Sequence, residues 1–169
     1  MNTGWLIAQA SATVDIETVR EALEQTPELV HSYSSDGWTY LHRAAQFGRT
    51  DIATLLLRFG ADVNAHAHNS LANTPIICAV VGQHADLVEF LIARGADVNL
   101  ANAAGATPLH KAAIRGDCGI MRLLLAHGAQ VDARNSGGQT PLVHAQYLGH
   151  TDAAALLEGY LTATEPGTA

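Results

Sequence analysis

The sequence predicts an all-α solenoid, a stack of helix-turn-helix units joined by β-hairpin-like finger loops. Three observations carry this expectation. One pattern returns four times, anchored on Thr39, Thr74, Thr107 and Thr140, at spacings of 35, 33 and 33 residues. Each return places a short apolar helical pattern, a break, and then a second helical pattern. The chain is 48% apolar but only 5% aromatic, so Ala, Leu, Val and Ile must fill its core. That composition suits closely packed helices better than a β-sandwich.

Each element has a local reason. The segments in front of and behind the threonines read SSDGWTYLHRAA, SLANTPIICAV, NAAGATPLHKAA and NSGGQTPLVHA. Threonine is a good helix N-cap, and proline in the next place loses nothing by lacking an N–H. Pro75, Pro108 and Pro141 obey this; Tyr40 stands there in the first full unit. The first helix then runs to Gly48, Gly116 and Gly149, placed where a left-handed stop is needed. A second helix follows with Ile52, Leu55 and Leu56; Leu87, Phe90 and Leu91; Ile120, Leu123 and Leu124; or Leu156 and Leu157 at helical spacing. Gly60, Gly95 and Gly128 end that helix in FGADVN, RGADVN and HGAQVD, and a polar stretch turns the chain into the next unit. Ala44–Ala45 and Ala112–Ala113 let neighbouring helices approach closely.

These residues resemble the ankyrin repeat, whose unit of 33 residues carries a Thr-Pro-Leu-His core. TPLH is intact at Thr107–His110, and the other units read TYLH, TPII and TPLV. The resemblance covers residues 5–161 and implies one domain over 1–161. Its expected divisions are a cap unit 1–35 and repeats 36–68, 69–101, 102–134 and 135–161, about five units in all, with 162–169 as a flexible tail. Residues 5–25 read as a degenerate first helix pair, with Glu21 where later units have Leu55, Phe90 and Leu123. Glu158 likewise replaces the apolar residue seen at Leu57, Ile92 and Leu125. Polar substitutions on end helices are what a finite solenoid needs for solubility.

Composition excludes several function classes. The net charge is −7, Lys111 is the sole lysine, and the eight arginines are scattered, so nucleic acid is not the expected partner. Cys78 and Cys118 form no CxxC pair and read as buried reduced thiols. No basic leader and no bilayer-length apolar run is visible, so a soluble cytoplasmic monomer without membrane association is expected. One lysine against eight arginines, with abundant alanine, fits a GC-rich bacterial genome. Catalytic signatures such as HExxH, a phosphate-cradling glycine loop or a nucleophile elbow are missing, and no cofactor is expected.

The resemblance implies a non-catalytic interaction module whose partner surface is concave, made of finger tips and the exposed face of each first helix. Mapped onto this chain, Trp38, Phe47, Val81, Ile114 and Tyr147 form an apolar stripe, flanked by Tyr33, Asn73, Arg115 and Gln139. Exposed aromatic and arginine anchors are binding signals. The alternative is that Val81 and Ile114 are partly buried between repeats and that Trp38 packs on the first hairpin. The second full unit departs most from the pattern. Its finger, AHAHNSLAN, is two residues longer than the others, Ala72 replaces the usual glycine, and Gln83 replaces the stop glycine, with Gly82 one place early. His66, His68, Asn69 and Leu71 would extend this finger toward a partner; neutral drift of a loop is the competing reading.

Histidine is abundant, at nine residues. His42 and His110 occupy the TPLH position, which the resemblance makes structural, and His84 and His150 both start second helices. A metal-dependent hydrolase centred on His66 and His68 is the alternative function, but a His-x-His pair needs a third placed ligand. Asp62 and Asp97 recur with the repeat and read as structural. The first thirty residues carry Asp15, Glu17, Glu21, Glu24 and Glu28 against Arg20. This is a solvated cap face, or alternatively a dock for a basic partner.

Overall fold

In the computed structural model, which describes residues 15–164, the repeated pattern folds into paired helices. The chain divides into two compact units, one ending at Asp97 and one beginning at Val98. The first unit opens with α1 (Ile16–Gln25) and a 3-10 turn (Pro27–His31). The pairs α2 (Tyr40–Gln46) with α3 (Thr50–Arg58) and α4 (Pro75–Val81) with α5 (Ala85–Ala93) follow. The second unit holds α6 (Pro108–Arg115) with α7 (Cys118–Ala126) and α8 (Pro141–Tyr147) with α9 (Thr151–Thr164). Within the first unit α2 packs on α4 and α1 on α3; within the second, α6 packs on α8 and α7 on α9. No strand forms among the described residues, where the one isolated bridge joins Tyr33 to Thr39.

The threonines start the first helices as their spacing predicts. The Thr39 and Thr107 hydroxyls accept from the His42 and His110 amides, and each histidine ring accepts the threonine N–H in return. This reciprocal box satisfies two otherwise orphaned donors. Thr140 caps the Val143 amide. Thr74 has Ile77 three residues on, which offers no ring nitrogen, and its hydroxyl is buried without a hydrogen-bond partner among the described residues.

The helix stops keep register even where glycine is missing. Gly48, Gly116 and Gly149 are left-handed, and Gln83 takes the same conformation at φ 61°. Gly82 is not a displaced stop, because its backbone is right-handed. Its lack of a side chain answers a close approach: a Cβ there would lie 2.6 Å from the Gln46 carbonyl oxygen.

Leu23, Leu41, Leu56, Ile76, Leu87 and Leu91 are fully buried in the first unit, and Leu109, Ile120, Met121, Leu124 and Leu157 in the second. Ala44, Ala45, Ala112 and Ala113 are buried as well, consistent with close helix approach. Polar bonds tie successive repeats within each unit. Asn64 donates to the Gly95 carbonyl and accepts from the Asp97 amide, and Asn99 does the same with Gly128 and Gln130. His84 Nε2 donates to the Gln46 carbonyl and His150 Nε2 to that of Ile114. Asp62 accepts the Asn64 amide, a turn role rather than a catalytic one.

At the ends, Glu21 is exposed on α1, and Glu158 is exposed on α9, where it accepts from Gln146. The first part of the expected cap pair, residues 5–14, lies outside the described residues. The last helix runs through Thr164, three residues past the expected boundary at 161; residues 165–169 lie outside the described residues. Cys78 is buried, and burial pushes its thiol up to about 12. Cys118, expected to be buried too, is only half-buried because it opens α7.

Candidate functional site

The fingers and first helices carry the candidate surface, taken in each unit separately. In the first unit, finger one closes where the Ser34 amide donates to the Trp38 carbonyl at 2.8 Å, with left-handed Gly37 at its tip. Asp36 beside that tip accepts from the Ser34 hydroxyl and pairs with Arg43 of α2. The Ser34 bond, helped by the charge and hydrogen bond of Arg43, holds the Asp36 carboxyl below its ordinary range despite the opposing effect of desolvation. Arg43 also lies over the half-buried Trp38 ring at 5.2 Å, and the His42 ring meets Trp38 edge-on at 5.9 Å. Trp38 is therefore both braced by α2 and partly open. Phe47, at the end of α2, is 44% exposed, and Val81, at the end of α4, is half-buried.

The long finger closes between the Ala67 amide and the Asn73 carbonyl at 3.0 Å, so its two extra residues lie inside the loop. Asn69 organises it. Its side-chain oxygen accepts from the Leu71 and Ala72 amides, while its amide donates to the Asp36 carbonyl of the neighbouring finger. The His68 amide donates to the Gly37 carbonyl, and the His68 ring stacks on Tyr33 at 3.6 Å and 9°. His66 Nδ1 donates to the Ala72 carbonyl across the loop. Leu71 is left 53% exposed. Asn73 is a correction to the expected surface: it is only 9% exposed, and its carbonyl accepts from His42 Nε2 at 2.7 Å.

In the second unit the fingers close between Asn102 and Ala106 and between Asn135 and Gln139, and the Ser136 amide donates to the Ala104 carbonyl alongside. Ile114 is half-buried, whereas Arg115 and Gln139 are exposed. Tyr147 is 86% exposed. Two further apolar residues are exposed: Val143, which no sequence signal singled out, and Leu148, which takes the register place of Phe47.

The histidines of the TPLH position are structural. His42 and His110 each donate from Nε2 to a finger carbonyl, that of Asn73 or Gln139, while Nδ1 faces the capping threonine. Burial lowers the His42 pKa to about 4 and lowers that of His110 in the same direction. His66 and His68, the proposed metal pair, are engaged in loop closure and ring stacking. Among the described residues no group of three or more His, Cys, Asp or Glu is placed to hold a metal ion. No described helix is long and apolar enough to cross a membrane.

Similarity to known proteins follows the same repeats. Over 81 residues the chain is 40% identical to serine/threonine-protein kinase VIK of Arabidopsis thaliana, covering 48% of this chain and 18% of that protein. Over 105 residues it is 33% identical to BCL-6 corepressor-like protein 1 of Homo sapiens, covering 62% of this chain and 6% of that protein. Over 71 residues it is 38% identical to NF-kappa-B inhibitor cactus of Drosophila melanogaster, covering 42% of this chain and 14% of that protein. The chain thus spans less than a fifth of each of these relatives, and for the kinase the shared part is a minority of the protein. A family model described as ankyrin repeats (3 copies) matches residues 5–102 and 76–163, the same stretch that holds the threonine-started helix pairs, and the chain belongs to the ankyrin-repeat family.

Proposed function

We propose that this chain is a non-catalytic interaction module, an adaptor, scaffold or inhibitor, which acts as a cytoplasmic monomer and holds one protein partner through its fingers and first helices. Ankyrin repeats are protein–protein interaction modules, and an inhibitor, cactus, stands among the relatives. One observation carries the reading. Among the described residues the exposed large hydrophobic side chains are Tyr33, Phe47, Leu71, Val143, Tyr147 and Leu148, and each of these belongs to a finger, a first helix or the cap that ends it. Single exposed apolar residues are ordinary on any protein. Among the described residues, however, these six are confined to fingers, first helices and their caps. Aromatic side chains that lose little entropy on ordering are the usual anchors of such interfaces.

The test is affinity capture with matched baits, the natural chain and Trp38→Ala/Phe47→Ala. A specific protein retained by the first and lost by the second supports the reading, provided the melting temperature shifts by no more than about 4 °C, the size of a ~1 kcal/mol change. Equal retention by both baits contradicts it.

A further inference from the structure

In the second unit, the described carboxylates are sorted by element. Residues 98–116 and 133–149, which supply its two fingers and first helices, contain Lys111, Arg115 and Arg134 and no Asp or Glu. The described carboxylates of this unit are Asp117, Asp132, Asp152 and Glu158, which belong to the second helices and their flanking loops. Asp117 is occupied as the cap of α7, accepting the Ile120 amide at 3.0 Å. In a chain of net charge −7, these two segments carry basic side chains and no acidic ones.

The cations share a face with apolar side chains. Leu109, His110, Ala112 and Ala113 bury the opposite side of α6, leaving half-buried Lys111 and Ile114 and exposed Arg115 on its open side. Lys111 and Arg115 are one helical turn apart, so both project to that side. On α8 the neighbour is His144, whose ring meets His110 edge-on at 5.9 Å and whose Nε2 accepts from the Asn135 side-chain Nδ2. Burial first and the Lys111 charge second lower the His144 pKa. Tyr147, the most open large hydrophobic residue of the molecule's described part, follows one turn later on α8.

The first unit differs. Its finger and first-helix charges are Asp36 and Arg43, which neutralise each other. Its surface is apolar and aromatic where that of the second is cationic.

We infer that the first helices and fingers of the second unit dock an acidic segment of the protein partner, with carboxylates against Lys111 and Arg115 and an apolar side chain against Tyr147. This rests on the protein-binding reading above and specifies the partner's chemistry. A carboxylate meets Arg as a two-point acceptor and Lys as a point charge. An extended polyanion such as RNA fits poorly, because three cations neutralise few phosphates and the chain's net negative charge repels the remainder.

The probe is a fluorescently labelled random copolymer of Glu and Tyr, titrated with the full chain at low and at physiological salt. The expected result is saturable binding that weakens about tenfold in Lys111→Ser/Arg115→Ser and weakens with added salt. Arg122→Ser, exposed on α7, should stay within about twofold. Lys111→Gln/Arg115→Gln repeats the charge loss should the serine variant unfold. No binding, binding unchanged in the double variants, or tighter binding of a single-stranded RNA homopolymer would overturn the proposal. Loss of natural partner capture in Trp38→Ala/Phe47→Ala together with full capture by Lys111→Ser/Arg115→Ser would remove the acidic-segment proposal alone. Capture insensitive to both variants would remove the protein-binding reading with it.

Discussion

Gln83 and Ala72 hold backbone conformations that favour glycine, at φ 61° and φ 45°. Both sit where the other units place a glycine, so the surrounding hydrogen bonds impose the conformation and the side chain must accept it. A left-handed residue with a Cβ costs about 1–2 kcal/mol. Gln83→Gly and Ala72→Gly should therefore each raise stability, by about 1 kcal/mol in a urea titration. His42 couples the fold to pH. In the unfolded chain it titrates at its ordinary 6.5, but in the fold it takes a proton only near about 4. Between those values the unfolded state binds more protons, so stability rises with pH and is lost as pH falls through the window. The loss should total about 3 kcal/mol from this residue. His42→Leu should be less stable than the natural chain at pH 7.5 and should show a flatter acid limb between pH 6.5 and pH 4, measured by denaturant titration at each pH.

At the scale of elements, the start of each first helix and the stop after it were legible because they depend on residues close in sequence. A threonine with proline after it, and a glycine nine places beyond the threonine, each act within one turn of chain. What was not legible depends on contacts between repeats. Gly82 is needed because the Gln46 carbonyl comes close, and the Tyr33–His68 stack joins two fingers, so no local pattern announces either. Asn73 looked like a finger residue and is one, yet the His42 bond draws it inside. The unusual length of the second finger was plain from the spacing, and the structure locates the excess between Ala67 and Asn73. Removing Ser70 and Leu71 leaves five residues between those closing groups inclusive, as in the other fingers, with Ala72 at the left-handed place. The deletion should keep helical circular dichroism intact and change stability by no more than about 1 kcal/mol, since loop length carries a small entropic cost. A larger loss would mean that the Asn69 bond to Asp36 is a principal tie between the fingers.

At the scale of the whole molecule, repetition made the family readable while the function had to be read from departures from it. Second helices are alike in purpose: Leu56, Leu91, Leu124 and Leu157 are all fully buried, and such positions define the scaffold without distinguishing one family member from another. Distinction comes from the exposed residues that the scaffold does not need, Phe47, Leu71 and Tyr147 among them, and from the placement of charge in the second unit. The cationic surface was present in the sequence but required knowing which residues share a face. Charges counted along the chain read as scatter; counted by element, the described carboxylates of the second unit fall outside its fingers and first helices. Hydrogen exchange of the chain alone and with its captured partner shows which helices the partner covers. Slowed exchange is expected in the fingers and in α2, α4, α6 and α8, with α3, α5, α7 and α9 unchanged; protection confined to the second helices would rule out binding through the fingers and first helices.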